Sequence, residues 1–105
     1  MTLAAIEETL KTNPAVMLYF SAPTCNVCHA LKPKLFEAVG SHFDAFEILS
    51  IDISESPEIA SHFGVFAIPT LLVFLDGREF LRKSRHMSVG EVVEAIRRPY
   101  EIMMR

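Results

Sequence analysis

Cys25 and Cys28 are the chain's two cysteines, and they stand three positions apart. Two cysteines are too few for a secreted disulfide framework, and a bridge between them closes too small a loop to stabilise a fold much by constraining the unfolded chain. Their pairing points to chemistry instead. A thiol attacks as its thiolate, and a free cysteine titrates near ~8.5, so a site working at neutral pH must favour the ionised sulfur. The start of a helix does this, because unpaired backbone N–H groups and the helix dipole favour negative charge there by roughly 0.3 to 2 kcal/mol. Cys25 at such a position is drawn below the ordinary thiol range. Cys28, about one turn further on, can reach the Cys25 sulfur while lying deeper and less open to outside disulfides. Cys25 is then placed to attack a partner's disulfide, and Cys28 to attack the resulting mixed disulfide, which releases the reduced partner and leaves the Cys25–Cys28 bridge. Run backwards, the same pair oxidises its partner.

Other chemistry fits the same letters. Cys25-Asn26-Val27-Cys28-His29 matches the Cys-x-x-Cys-His of c-type haem attachment, in which His29 ligates the iron. Against that stand the lack of a visible export signal and a strand-rich chain. A zinc site needs two further ligands, and His29, His42, His62 and His86 show no paired metal-ligand spacing. The last three read as surface or boundary histidines. A chemically silent cysteine pair is the remaining alternative.

The elements that position the pair follow from periodicity. Leu3, Ile6 and Leu10 recur at helical spacing from Thr2 to Thr12, with Asn13-Pro14 as a stop. Ala15 to Phe20 is a short continuous apolar run bounded by Pro14 and Ser21-Ala22-Pro23, which predicts a strand buried on both faces. Val27, Leu31, Leu35 and Val39 then share one helical stripe, so a helix is expected from near Cys25 to near Gly40, bent by the internal Pro33. Phe46 to Ile53 reads as a second buried strand, and Ser56-Pro57 opens a short helix ended by Gly64. Thr70 to Leu75 and Arg78 to Arg85 flank Asp76-Gly77, a two-residue hairpin signal, so these strands should be antiparallel neighbours. Ser88 and Glu91 have capping-box spacing and open a last helix along Val89, Val92, Val93 and Ile96. The order predicts a mixed four-stranded α/β sheet covered by helices, in one domain over residues 1–105.

Composition narrows the partners. Ten Lys and Arg against thirteen Asp and Glu give a net charge of −3 with the signs mixed, which does not ask for nucleic acid. Met1 to Leu10 carries Glu7 and Glu8 without a basic n-region, and no apolar run nears the roughly 18 to 20 residues of a membrane span. A cytoplasmic, monomeric protein acting away from membranes is expected.

Leu18-Tyr19-Phe20-Ser21-Ala22-Pro23-Thr24-Cys25-Asn26-Val27-Cys28, with Pro33 five residues later and Ile68-Pro69-Thr70 further on, resembles the thioredoxin family over nearly the whole chain. The resemblance implies a thioredoxin fold lacking the additional first strand of longer thioredoxins. It also implies a cis Pro69, with the Ile68 backbone facing the dithiol to pair with an extended substrate. Thr24, Ile68 and Pro69 become expected substrate-binding residues beside the catalytic Cys25 and Cys28. The implied activity is reduction of protein disulfides, with electrons from a thioredoxin-reductase-like or other thiol donor and with neither cofactor nor metal. Three replacements set the chain apart: Tyr19 where the family usually has a buried Asp, Ile48 where a Lys often accompanies it, and Thr24-Cys25-Asn26-Val27-Cys28 in place of Trp-Cys-Gly-Pro-Cys. A phenol titrating near ~10 is a poor proton acceptor, so deprotonation of Cys28 needs another route, such as water. Tyr19 and Thr24 also motivate a rival function, a peptide-binding module whose groove at Ile68-Pro69 holds an extended segment while the dithiol is slow or vestigial. Phe66, close before Pro69, is a candidate for an apolar rim of that groove.

Overall fold

The computed structural model describes residues 1–105. In chain order the elements are α1 (Leu3–Thr12), β1 (Ala15–Ser21), α2 (Asn26–His42), β2 (Phe46–Asp52), α3 (Pro57–His62), β3 (Thr70–Leu75), β4 (Arg78–Ser84) and α4 (Val89–Met103). The sheet order is β2-β1-β3-β4, with β1 and β2 parallel and the other two pairs antiparallel. A helical crossover joins the parallel pair, and a tight turn joins β3 to β4. Asp76 and Gly77 form that turn with φ of 54° and 79°, the left-handed pair that matches strand twist.

Side-chain alternation along the two central strands divides the core. Met17, Tyr19, Leu71 and Val73 face α2 and α4, where they pack with Cys28, Leu35, Val39, Val92 and Ile96. Val16, Leu18, Phe20, Leu72 and Phe74 face α1 and α3, where they meet Ile6, Ile59 and Ala60. Every residue of Ala15–Phe20 is buried, as a strand covered on both faces requires. No helix is long and apolar enough to cross a membrane.

Several local expectations shift. The second strand is an edge rather than a buried strand: Ile51 alone of Phe46–Asp52 is buried, because β2 has a neighbour on only one side. The fourth strand stops at Ser84, since Arg85 turns into the left-handed region at φ 63°. Ser88 Oγ accepts the Glu91 N–H at 3.1 Å, but the Glu91 carboxylate reaches Lys83 at 3.6 Å, so only half of a capping box forms. Ser56 caps α3 without a side-chain hydrogen bond. Gly64, at φ 67°, ends that helix as expected: its N–H donates to Ser61 and that of Val65 to Ala60, a Schellman closure.

Candidate functional site

β1 delivers the chain to Ala22, whose carbonyl accepts the Cys25 N–H at 3.0 Å and so tightens the turn into α2. Cys25 is the N-cap residue of that helix, and its Sγ accepts the Cys28 N–H at 3.1 Å. A sulfur thus fills the role usually taken by a Ser or Asp oxygen, at the helix end where negative charge is favoured. The two sulfurs are joined as a disulfide across a Cα–Cα distance of 5.3 Å. Cys28 is fully buried in the core shared with α4, whereas Cys25 is partly exposed. The depth difference expected from the spacing is present.

Opposite Cys25, the Ile68–Pro69 peptide bond is cis. Pro69 is buried, and its carbonyl accepts the Arg85 N–H at 2.7 Å, which ties this loop to the end of β4. Thr70 Oγ1 donates to the Ala67 carbonyl at 2.6 Å and meets Ser84 Oγ at 3.0 Å, pinning the same junction. The Ile68 N–H and C=O have no partner within the chain. A groove of about 420 Å³ runs between Cys25, Asn26 and Val27 on one side and Ile68 and Pro69 on the other, and Arg85 and His86 close it.

Of the residues singled out from sequence, Cys25, Ile68 and Pro69 therefore share one groove, with Cys28 in the core behind it. Thr24 is exposed and lies outside the groove lining. Phe66, 88% exposed, lines a neighbouring depression with Ile53, Pro57 and Val65 rather than this groove. Arg85 and His86 carry no site signal in the sequence. A strand expected through Arg85 hides the turn that brings both back beside a cysteine sixty residues earlier in the chain.

Beneath the dithiol, Tyr19 is fully buried, edge-on to Phe36 at 5.6 Å, and its hydroxyl donates to the Cys28 carbonyl at 2.8 Å. Burial pushes the phenol above its ordinary range, so it stays a hydrogen-bond donor at neutral pH. Ile48 packs against the same core. Neither position offers Cys28 a base. His29 is exposed, and its Nε2 lies 3.0 Å from the Pro23 carbonyl, which ties the ring to the turn before Cys25. No three His, Cys, Asp or Glu side chains converge in a way that could hold a metal ion.

Comparison with known proteins places this geometry. Residues 1–98 match the family model described as Thioredoxin. The thioredoxin-like protein YdfQ of Bacillus subtilis is 35% identical over 101 residues, which is 96% of this chain and 89% of that protein. A thioredoxin of Chlamydia muridarum is 43% identical over 67 residues, 64% of this chain and 65% of its own. Among solved structures, a point-mutant thioredoxin from Halobacterium salinarum superposes with a TM-score of 0.83 at 25% identity, covering 95% of this chain and 86% of that one. Thioredoxin 1 of Thermosipho africanus gives 0.77 at 30% identity, covering 86% and 99%.

Proposed function

The chain belongs to the thioredoxin family, and from that premise we propose that it is a thiol–disulfide oxidoreductase that reduces protein disulfides through Cys25 and Cys28, acting in the cytoplasm as one domain over residues 1–105. The observation that carries this reading is the placement of the two sulfurs. Cys25 lines the groove and its Sγ takes the Cys28 N–H, while Cys28 is wholly buried.

In the reduced protein that N–H, with the helix dipole, favours the Cys25 thiolate. The thiolate attacks one sulfur of a substrate disulfide, forms a mixed disulfide and expels the other substrate sulfur as a thiolate. The Cys28 thiol then gives its proton to water or to the departing thiolate, attacks Cys25 Sγ and expels the second substrate sulfur. Two electrons have passed from the Cys25/Cys28 pair to the substrate, and a thiol donor, such as a thioredoxin-reductase-like protein, restores them. The unpaired Ile68 N–H and C=O support docking of an extended substrate segment as an added strand, with Pro69 shaping the groove. Thr24 contributes from the rim.

The test follows reduction of a protein disulfide by parent, Cys25→Ser and Cys28→Ser proteins, with mass analysis of trapped adducts. Cys25→Ser should fall to the solution background, and Cys28→Ser should accumulate the mixed disulfide. Exchange by Cys25→Ser at the parent rate would sink the assignment. The protonated Tyr19 under Cys28 favours one rival, a peptide-binding module with a slow dithiol. That reading requires equal partner affinity in the parent and in the double Cys→Ser protein, together with slow exchange.

A further inference from the structure

The end of β4 puts an arginine where backbone geometry argues for glycine. Four residues of the chain have left-handed φ: Gly64 at 67°, Asp76 at 54°, Gly77 at 79° and Arg85 at 63°. Glycine enters this region freely and Asp tolerates it, whereas a long side chain is strained there. A strained conformation kept beside a candidate site is a pointer to function. Arg85 fixes the groove through its main chain, by donating to the Pro69 carbonyl, and any non-proline residue could do that much. Its side chain needs a separate reason.

That side chain has no hydrogen bond and no ion pair within the protein. The two basic residues nearest it on β4 differ: Arg82 is held by Glu79 at 2.8 Å, and Lys83 faces Glu91 at 3.6 Å. Arg85 and the exposed His86 line the groove beside Cys25, and no carboxylate lines it. A chain of net charge −3 therefore presents an uncompensated cation at the one groove that holds its reactive sulfur.

We propose that Arg85 is a specificity-determining residue that selects disulfides flanked by acidic residues, an inference that rests on the disulfide-exchange reading above. An extended segment pairing with the Ile68 backbone passes the junction where Arg85 is bonded to Pro69, so a Glu or Asp near the substrate cystine meets the guanidinium. Arginine suits this contact because its planar fork matches a carboxylate and its charge does not titrate. The contact is local, since charges further off than about 10 Å are largely screened at ordinary salt. His86 adds a second polar edge to the same wall.

The experiment uses synthetic peptides with one internal cystine, identical except for Glu, Gln or Lys at the flanking positions. Second-order rate constants for their reduction are measured with fully reduced parent, Arg85→Gly and Arg85→Lys proteins, at about 0.02 M and about 0.5 M salt. The parent should reduce the Glu peptide about three- to tenfold faster than the Gln peptide at low salt, with the Lys peptide slowest. High salt and Arg85→Gly should each bring the Glu/Gln ratio close to one, and Arg85→Lys should keep most of it. A ratio at or below one in the parent, or the same ratio in Arg85→Gly, overturns the proposal. If both peptides are reduced at equal rates, exchange stands and only the charge preference fails. If no peptide is reduced, exchange fails, and the preference is decided by binding of the same peptides to the Cys25→Ser/Cys28→Ser protein with and without Arg85→Gly. There the same ratio and its loss are expected, and equal affinities overturn it.

Discussion

Two hollows of similar volume lie at opposite ends of the central β1–β3 pair. One, of about 420 Å³, holds Cys25, Ile68, Pro69 and Arg85; the other, of about 390 Å³, lies between the end of α1 and the Asp76-Gly77 turn. Volume does not separate them, but what stands beside their unpaired polar groups does. At the Gly77 end the Asp76 N–H donates to the Pro14 carbonyl at 2.8 Å, and the Asn13 backbone and side-chain N–H groups both donate to Thr9. Those groups hold the chain together, and the Lys11 and Asp76 side chains that line the same hollow, though free of hydrogen bonds and ion pairs, have no sulfur beside them. At the Cys25 end the Ile68 main chain and the Arg85 side chain have no partner, and the partly exposed Cys25 lines the same groove. Groups left unpaired next to a reactive atom, rather than concavity, mark the end that meets substrates.

The largest effect that separates the two ends comes from their left-handed residues. A Cβ at Gly77 would sit 3.6 Å from the Leu10 carbonyl, an ordinary contact, so the cost of a side chain there is conformational. Gly77→Val should lower stability by about 1 to 3 kcal/mol while the folded protein exchanges disulfides at the parent rate. At the other end the expected result is an inversion. Glycine ordinarily costs about 0.5 to 1 kcal/mol relative to alanine, yet at φ 63° Arg85→Gly should be the more stable of Arg85→Gly and Arg85→Ala. Urea unfolding of the three variants checks both statements, and an Arg85→Ala protein more stable than Arg85→Gly breaks the strain argument.

The two ends were not equally legible in the sequence. Asp76-Gly77 announces its turn by residue type, and Cys25-Asn26-Val27-Cys28 after a buried strand announces a helix start with a sulfur on it. Both signals are local, as are the strand alternation and the Asn13-Pro14 stop. Arg85 has no local signal, because arginine is not a residue that a left-handed turn calls for, and its run of mixed charge continues the strand pattern. Its place in the groove depends on β3 pairing with both β1 and β4, a long-range fact. The edge position of β2 depends on the same long-range pairing, and its one local sign is that Glu47, Ser50 and Asp52 interrupt its apolar residues, whereas residues 15–20 and 71–75 of the central strands are unbroken. Pro99 stands inside α4, although proline lacks the N–H that a helix interior uses. Tyr19 was readable as a poor base but not as a donor, since only the packed structure brings its hydroxyl to the Cys28 carbonyl.

Tyr19 sharpens the comparison within the reactive end, by separating the support behind Cys28 from the groove in front of Cys25. Tyr19→Phe keeps the ring and removes one buried hydrogen bond, which should cost about 0.5 to 1.5 kcal/mol. The alkaline limb isolates it further. Burial raises the native phenol above the ordinary value, so above about pH 10 the unfolded chain loses a proton that the native chain keeps. The unfolded state then binds fewer protons, and stability falls as pH rises through that range. Measured on the disulfide form, whose sulfurs do not titrate, the parent should lose stability between about pH 10 and 11 faster than Tyr19→Phe. Identical slopes would show that the phenol is not held in its neutral form.

The smallest difference worth measuring lies between two arginines three residues apart. Arg82 donates to both Glu79 carboxylate oxygens, at 2.9 and 2.8 Å, and also to the carbonyls of Phe63 and Gly64, so it fastens β4 to the loop after α3. The hydrogen bond from Arg82, with its charge, holds the Glu79 carboxyl below its ordinary range. A carboxylate with a depressed native pKa contributes stability above its unfolded value, near ~4.3, and loses it as pH falls through the native value. With side chains 37% and 38% exposed the pair is worth only about 0.2 to 1 kcal/mol after solvent screening. Between about pH 7 and pH 3 the parent should therefore lose a few tenths of a kcal/mol more than Glu79→Gln in urea unfolding. The peptide preference assigned to Arg85 should be the same in Glu79→Gln as in the parent, because Arg82 keeps its two carbonyl acceptors when the carboxylate is removed. A preference that changed with Glu79 would mean that Arg82 is released toward the substrate, and that the division between a fastening arginine and a selecting one is wrong.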